Sequence, residues 1–207
     1  MPDMTKAYIH EQSGNIVTPK SRMVWPSLFK PAVFRGPQQG EPKHQITLLV
    51  PAGSDLSALQ ARVKEAALEK FKNPQDIPGF RLPIMKTADQ EKLAEYADAF
   101  PHMLRARTTE PPGVVGPDAS PENDPSMAYG GRWCVCSVQA FAYDTMGNKG
   151  VSLGLVNVQL LDHDDPIATN RVRPESEFKP IEIEGKQAAM SSPDGGDGAS
   201  TDELFGT

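Results

Sequence analysis

The stretch Gly130–Leu161, GGRWCVCSVQAFAYDTMGNKGVSLGLVNVQLL, limits the possible folds of this chain more than any other. It reads as two long β-strands joined by a turn. Residues Arg132–Tyr143 are rich in β-branched and aromatic types. Asp144–Gly150 is a turn cluster with two glycines and an asparagine, and Val151–Leu161 is a second β-rich run. Alternation with period two, bounded by Gly, Asn and Asp, is a hairpin signal. Trp133 and Phe141 share one face of the first strand with Val135. Cys134, Val138 and Ala140 form an equally apolar opposite face, so the pattern leaves open which face points outward.

Other segments supply further strands. Asn15–Leu28 contains one around Pro19–Trp25, expected to stop at Pro26, because proline donates no ladder hydrogen bond. Phe29–Pro42 has three prolines and two glycines and reads as a loop whose Phe29, Val33 and Phe34 fold back onto the body. Lys43–Pro51 is a second strand, with His44, Ile46, Leu48 and Val50 on one face and Lys43, Gln45, Thr47 and Leu49 on the other. Phe100–Thr109 is a third, with Met103, Arg105 and Arg107 on one face.

Between the second and third strands lies a helix over Ser54–Phe71. Leu56, Leu59, Val63 and Ala66/Ala67 line one side of it, and Ser54 or Asp55 can cap its first turn. Asn73–Pro83 is a Pro/Gly break. Thr87–Gln90 has capping-box spacing before a short helix that turns Leu93, Tyr96 and Ala97 inward. Glu110–Ala128 holds five prolines and is a long loop, with a short extended pairing at Gly113–Val115. Met1–Gly14 is polar and reads as a loose lead-in.

These elements predict a mostly β fold: an OB-fold-like, five-stranded Greek-key barrel with a helical insertion, one or two short helices in all. The expected domain spans residues 1–184. Residues 185–207 are Gly/Ser/Asp-rich without periodicity and are expected to form a disordered acidic C-terminal tail.

Charge sharpens the division. The net charge is −6, but no Lys or Arg follows Lys186, whereas Asp194, Asp197, Asp202 and Glu203 do. Removing those four acids from the total leaves −2 for residues 1–186, so a basic groove must be a local patch. Cys134 and Cys136 lie two apart on one strand, which is poor disulfide geometry and suits a reducing compartment. No apolar run is long enough for a transmembrane helix, and the first residues lack the apolar core of a signal peptide. A cytoplasmic protein is expected.

Binding of single-stranded nucleic acid needs cations for phosphates and aromatic planes for bases. The strands offer both. Lys20, Arg22 and Trp25 lie on or beside the first strand, and Phe29, Lys30 and Phe34 follow it. Lys43 opens the second strand, and Arg105 and Arg107 share a face of the third. Arg132, Trp133, Phe141 and Tyr143 lie on the first hairpin strand, and Lys149 lies in its turn. Taken singly, strand aromatics are usually core, and Lys or Arg usually a solvated face. The Arg105/Arg107 pair stands out, because two arginines on one face make poor core. Arg132, Tyr143 and Lys149 at the hairpin's edges, with Arg22, Arg105 and Arg107, form the expected contact set. In the tail, Asp202, Glu203, Leu204 and Phe205 set an acidic pair beside two apolar residues. A flexible anionic segment of this kind can compete with nucleic acid for a basic groove and present a tip to partner proteins.

Catalysis finds little support. Asp162-His163-Asp164-Asp165 resembles a metal site, but neighbours on an extended segment point in alternate directions, so a solvated acidic turn is the better reading. Cys134-x-Cys136 lacks a second pair at zinc spacing. No GxSxG, Walker A, GxGxxG or HExxH motif occurs. No metal and no cofactor is expected.

In segment order, the chain resembles a family of phage-encoded single-stranded DNA-binding proteins with an OB-fold, formerly a domain of unknown function. The resembling pieces are Arg22–Phe29 with Pro31, Lys43–Pro51, and the arginine strand running into Pro112-Gly113-Val114-Val115. The most specific are Tyr129-Gly130-Gly131 through Phe141-Ala142-Tyr143, Asn148-Lys149-Gly150-Val151 and Gly154–Gln159. The likeness covers about Thr18–Phe178. It implies non-catalytic, largely sequence-independent binding of single-stranded DNA in phage replication, recombination or repair, inside the bacterial host cytoplasm. The tail is expected to contact phage or host replication and recombination proteins, no membrane partner is expected, and the sequence leaves the oligomeric state open, a homodimer or cooperative assembly on DNA included. Gly206-Thr207 after the phenylalanine depart from the family's tail pattern. The readings set against it are a non-catalytic protein-binding or virion β-domain and, behind that, a metal-dependent nuclease centred on Asp162–Asp165.

Overall fold

The computed structural model describes residues 3–33, 41–145 and 147–167. The hairpin is the longest element, with β8 (Trp133–Thr145) and β9 (Asn148–Leu160) antiparallel from Cys134↔Leu160 to Thr145↔Asn148. Its register slips once, between Ser137 and Val138, where β9 carries an extra residue. That bulge bends the hairpin and lets both strands keep one face on the core.

Three further strands close a barrel around it: β3 (Ser21–Ala32), β4 (Lys43–Val50) and β6 (His102–Thr108). The antiparallel pairings β8–β3, β3–β4 and β4–β6 lead round to a short parallel pairing of β6 with β9 at Ala106↔Leu153 and Arg107↔Gly154. The fold is therefore a mostly β, five-stranded OB-type barrel. Its inward residues include Met23, Ile46, Leu48, Leu104, Cys134, Cys136, Val138, Leu153 and Leu160, all essentially without solvent exposure. This settles the face of β8: the cysteines point inward, and Trp133, Phe141 and Tyr143 point outward. Both cysteines are free. The Cys134 side chain and burial push the Cys136 thiol well up from its ordinary value, which suits a core residue and not a reactive one.

α1 (Ser57–Lys70) starts three residues later than expected. The Asp55 carboxylate accepts the Ser57 N–H, at 2.8 Å. Leu59, Val63, Ala66 and Ala67 join the barrel core, and burying the two larger side chains contributes about 1.5–3 kcal/mol each. That fixes the insertion leading to β5 (Ile84–Lys86), an unforeseen strand paired with β6.

Several expectations are corrected. Pro26 does not end the first strand: β3 continues through Pro26 and Pro31 because both sit where its register with β4 shifts, between Val24 and Ser27 and between Ser27 and Ala32. In such bulges the missing N–H costs no ladder bond. Trp25 adopts φ 49° at the first of them. Phe29–Ala32 is thus strand, not loop. The lead-in is not loose either: β1 (Tyr8–Ile9) pairs with β2 (Ile16–Val17), and β2 pairs with β8 at Val138 and Ser137. The Thr87 capping box does not form. Thr87 Oγ1 is buried without a hydrogen bond among the described residues, and Thr87–Asp89 and Glu91–Tyr96 are 3-10 turns. β7 (Gly113–Val115) does exist and runs parallel to β9.

Outside the barrel, a second small core holds Val24, Leu49, Leu93, Phe100, Met103 and Ile167. It covers one end of the outer face of β3, β4 and β6 and leaves the other end bare. The expected boundary at residue 184 and the acidic tail, including Asp202, Glu203, Leu204 and Phe205, lie outside the described residues.

Candidate nucleic-acid interface

On the bare end of that outer face, β6 presents Arg105 opposite Thr47 and Arg107 opposite Gln45 of β4. On its other side, Arg107 pairs with Gly154 of β9, which pairs with Gln139 of β8. Continuing that register by one pair sets Arg105 level with Ser152, whose partner is Phe141. Residues opposite one another in a ladder share a face, so Arg105, Arg107, Phe141 and Tyr143 project from one surface. The Phe141 ring is 48% exposed. It reaches over Gly154, where a Cβ would lie in ordinary van der Waals contact with the ring.

The cleft beside this surface is lined by Arg81, Leu82, Pro83, Met85, Arg105, Arg107, Tyr143, Val151 and Ser152, and its volume is about 370 Å³. Arg81 arrives from the Pro/Gly break and was not foreseen. Its N–H donates to the Lys149 carbonyl at 3.0 Å, and its carbonyl accepts from the Val151 N–H at 2.9 Å. Gly150 between them allows this approach, since a Cβ there would collide with the Arg81 carbonyl. A glycine inside a strand is the sequence signal for such a contact. Among the described residues, no carboxylate lines the cleft, and none of its three arginines has an ion-pair partner. Burial and then the positive charge of Arg105 pull the Arg107 guanidinium below its ordinary value. It stays protonated, so the cluster is an uncompensated positive field.

The other candidate cations, Lys43 apart, are engaged. Arg132, only 2% exposed, donates to the Leu161 carbonyl through Nε and Nη2, at 3.2 and 3.1 Å, and to the Met127 carbonyl, at 3.0 Å. Arg22 is buried and donates to the carbonyls of Gly131 and Asp165. It also lies 3.5 Å from the Asp164 carboxylate. Both arginines hold the segment Leu161–Ile167 against the barrel and are corrected from surface contacts to structural ones. Lys20 sits 2.5 Å from Asp162 and 5.1 Å from the centre of the Trp133 ring. The Trp133 indole N–H donates to Asp164 at 2.8 Å, and the ring packs against Phe100. Trp25 is half-buried against the second core. Lys43 is exposed where β4 begins, on the same face of β4 as Gln45 and Thr47, so it extends the arginine surface beyond the cleft lining. Lys149 is 3.5 Å from Asp144 across the hairpin turn.

The acidic segment is thus a strap fastened to the barrel. The hydrogen bond and charge of Lys20 hold the Asp162 carboxyl below its usual range. The Asp165 N–H and the Trp133 indole do the same for Asp164. His163 stacks on Tyr129, with Nδ1 3.0 Å from the phenol oxygen. Among the described residues, no three His, Cys, Asp or Glu side chains gather as a metal-binding group, and no helix is long and apolar enough to cross a membrane.

Residues 14–189 match the family model described as "Enterobacter phage Enc34, ssDNA-binding protein". Among solved structures, the chain is similar to the C-terminally truncated single-stranded DNA-binding protein of bacteriophage Enc34, with 25% identity, a TM-score of 0.60 and coverage of 75% of this chain and 90% of that one. The same phage protein in complex with ssDNA aligns at 22% identity and a TM-score of 0.60, over 77% of this chain and 92% of that one. The gp2.5 single-stranded DNA binding protein encoded by bacteriophage T7 shares the fold at 14% identity and a TM-score of 0.52, over 76% of this chain and 96% of that one. No curated protein matches the chain.

Proposed function

The chain belongs to the family of the Enterobacter phage Enc34 ssDNA-binding protein, and we propose that it binds single-stranded DNA without catalysis along the outer face of β4, β6, β8 and β9. One observation carries this reading: three arginines without carboxylate partners stand beside outward aromatic rings on one continuous surface. In OB-folds the face of the second and third barrel strands and the loop between the last two strands bind oligonucleotides. Here those positions are β4, β6 and the β8–β9 turn. Arg81, Arg105 and Arg107 take phosphates, and Phe141 and Tyr143 stack on bases. Backbone contacts and stacking are indifferent to sequence, which suits a coat for exposed strands in phage replication, recombination or repair in the host cytoplasm. The acidic C-terminal residues compete with DNA for the cleft and contact partner proteins.

Titration with oligo-dT at several salt concentrations tests the reading. The expected result is binding that weakens with salt by about 0.7 log units per log unit for each phosphate neutralised. Absence of binding, or binding indifferent to salt, rejects it. Deleting residues 187–207 should tighten binding of a short oligonucleotide in a gel shift at fixed salt. Weaker binding by the shortened chain would remove the competing-tail part of the proposal.

A further inference from the structure

Adjoining the arginine cleft, with which it shares Leu82 and Met85, α1 and residues 74–86 line a groove of about 800 Å³. Val63, Leu68, Ile77, Phe80, Leu82 and Met85 supply most of its apolar wall. Leu68 and Leu82 are 49% and 54% exposed, which is unusual for leucines facing one another across a groove. The lining includes Lys64, Lys86 and His102, and among the described residues no Asp or Glu lines the groove. A matching ligand has large apolar side chains flanked by carboxylates. The wall is mostly aliphatic, and its one phenylalanine, Phe80, packs edge-on against Phe71, so the groove suits the apolar side chains of a peptide better than stacked bases.

The chain itself contains such a peptide. Asp202-Glu203-Leu204-Phe205 sets two carboxylates beside two large apolar residues, in a terminal stretch with no lysine or arginine after Lys186. Thirty-six residues separate Ile167 from Leu204, which is up to about 120 Å of extended chain, ample to reach a neighbouring molecule. We propose that the groove between α1 and β5 receives the Asp202–Phe205 segment of a second copy of the chain, with Leu204 and Phe205 on the apolar wall and the acids facing Lys64 and Lys86. Groove and tip are different surfaces of one chain, so the contact is head-to-tail and can continue from copy to copy. The choice of a second copy rests on the strand-coating reading above.

The test uses a fluorescein-labelled peptide of residues 196–207. It is titrated into full-length protein carrying Leu204→Ala and Phe205→Ala, so that the protein's own tips do not compete. The expected result is saturable binding that weakens about tenfold or more when either Leu68→Asp or Lys64→Glu is added. Both positions are exposed on α1, and either variant alone suffices if the other fails to fold. Peptide affinity unchanged by both would overturn the proposal. Sedimentation velocity of the unaltered chain should show concentration-dependent self-association that Leu68→Asp removes. A chain that stays monomeric at every concentration would overturn the second-copy occupant even if the peptide binds. Neither measurement contains DNA, so failure here leaves the DNA reading standing, and failure to bind oligo-dT leaves the groove measurements interpretable.

Discussion

Two regions of this barrel combine cations with aromatic rings, and they differ in what lies beside the cations. In the arginine cleft, Arg81, Arg105 and Arg107 stand next to Tyr143 with no acid in the lining. At the strap, Lys20, Arg22 and Trp133 have similar chemistry, but Asp162 and Asp164 lie against them. On the proposed reading, the first region keeps its charge for a ligand. The second spends its charge on the chain's own carboxylates and carbonyls, and the outcome is a fastened segment. Availability, not residue type, separates a binding surface from a structural one.

The largest expected effect falls on the open region. Arg105→Ala with Arg107→Ala removes two charged contacts worth about 1.5–3 kcal/mol each. Affinity for oligo-dT should fall about a hundredfold or more, and the salt slope should shrink by about 1.4 units. An unchanged slope would break the contrast at its centre.

Arg132→Ala probes the fastened region. It removes all three donors from two carbonyls that the strap and the 125–128 turn depend on. Leaving buried acceptors unpaired costs about 1–3 kcal/mol each, so urea unfolding should show a loss of about 2–3 kcal/mol, with oligo-dT affinity nearly unchanged under native conditions. The opposite pattern, stability kept and affinity lost, would return Arg132 to the DNA surface. Phe141→Ala should cost about 1–3 kcal/mol of affinity, one stacked base, and leave stability nearly intact because the ring is exposed. Lys20→Ala should change either quantity by less than about 1 kcal/mol, as expected for an exposed ion pair. A loss of affinity as large as that of the arginine pair would show the two regions to be one site.

How legible each region was follows from the range of the interactions that built it. The hairpin and α1 were readable because alternation and three- to four-residue spacing are local. Arg105 and Arg107 were readable because two arginines on one strand face declare that face solvated. Arg22 and Arg132 were misjudged because the carbonyls and carboxylates that engage them come largely from residues 161–165, a long way along the chain from Arg22. The strands at Tyr8–Ile9, Ile16–Val17 and Ile84–Lys86 are too short to carry a period; their pairing partners make them strands. Pro26 was taken as a stop because bulges depend on register with β4, which no single segment encodes. Arg81 entered the site through backbone bonds to Lys149 and Val151, and Gly150 was its one trace in the sequence.

The two regions should also part company with pH. Asp162 and Asp164 have folded-state values below the ordinary 3.8 of an aspartate. A group with a depressed folded value contributes its stabilisation fully above the unfolded value and loses it as pH falls through the folded one. The strap should therefore stay fastened from neutrality down to about pH 4 and release only below 3.8. In a Trp25→Phe background, where Trp133 is the sole tryptophan, its emission should be flat across pH 5–8 and shift only in that acid range. A transition at or above pH 5 would overturn this assignment of the fastening to the two carboxylates. The cleft is lined by no carboxylate or histidine, so oligo-dT affinity of the arginine surface should be level over pH 5–8. A rise in affinity that tracks the Trp133 transition would mean that the strap, once loosened, exposes Lys20 and Arg22 to DNA.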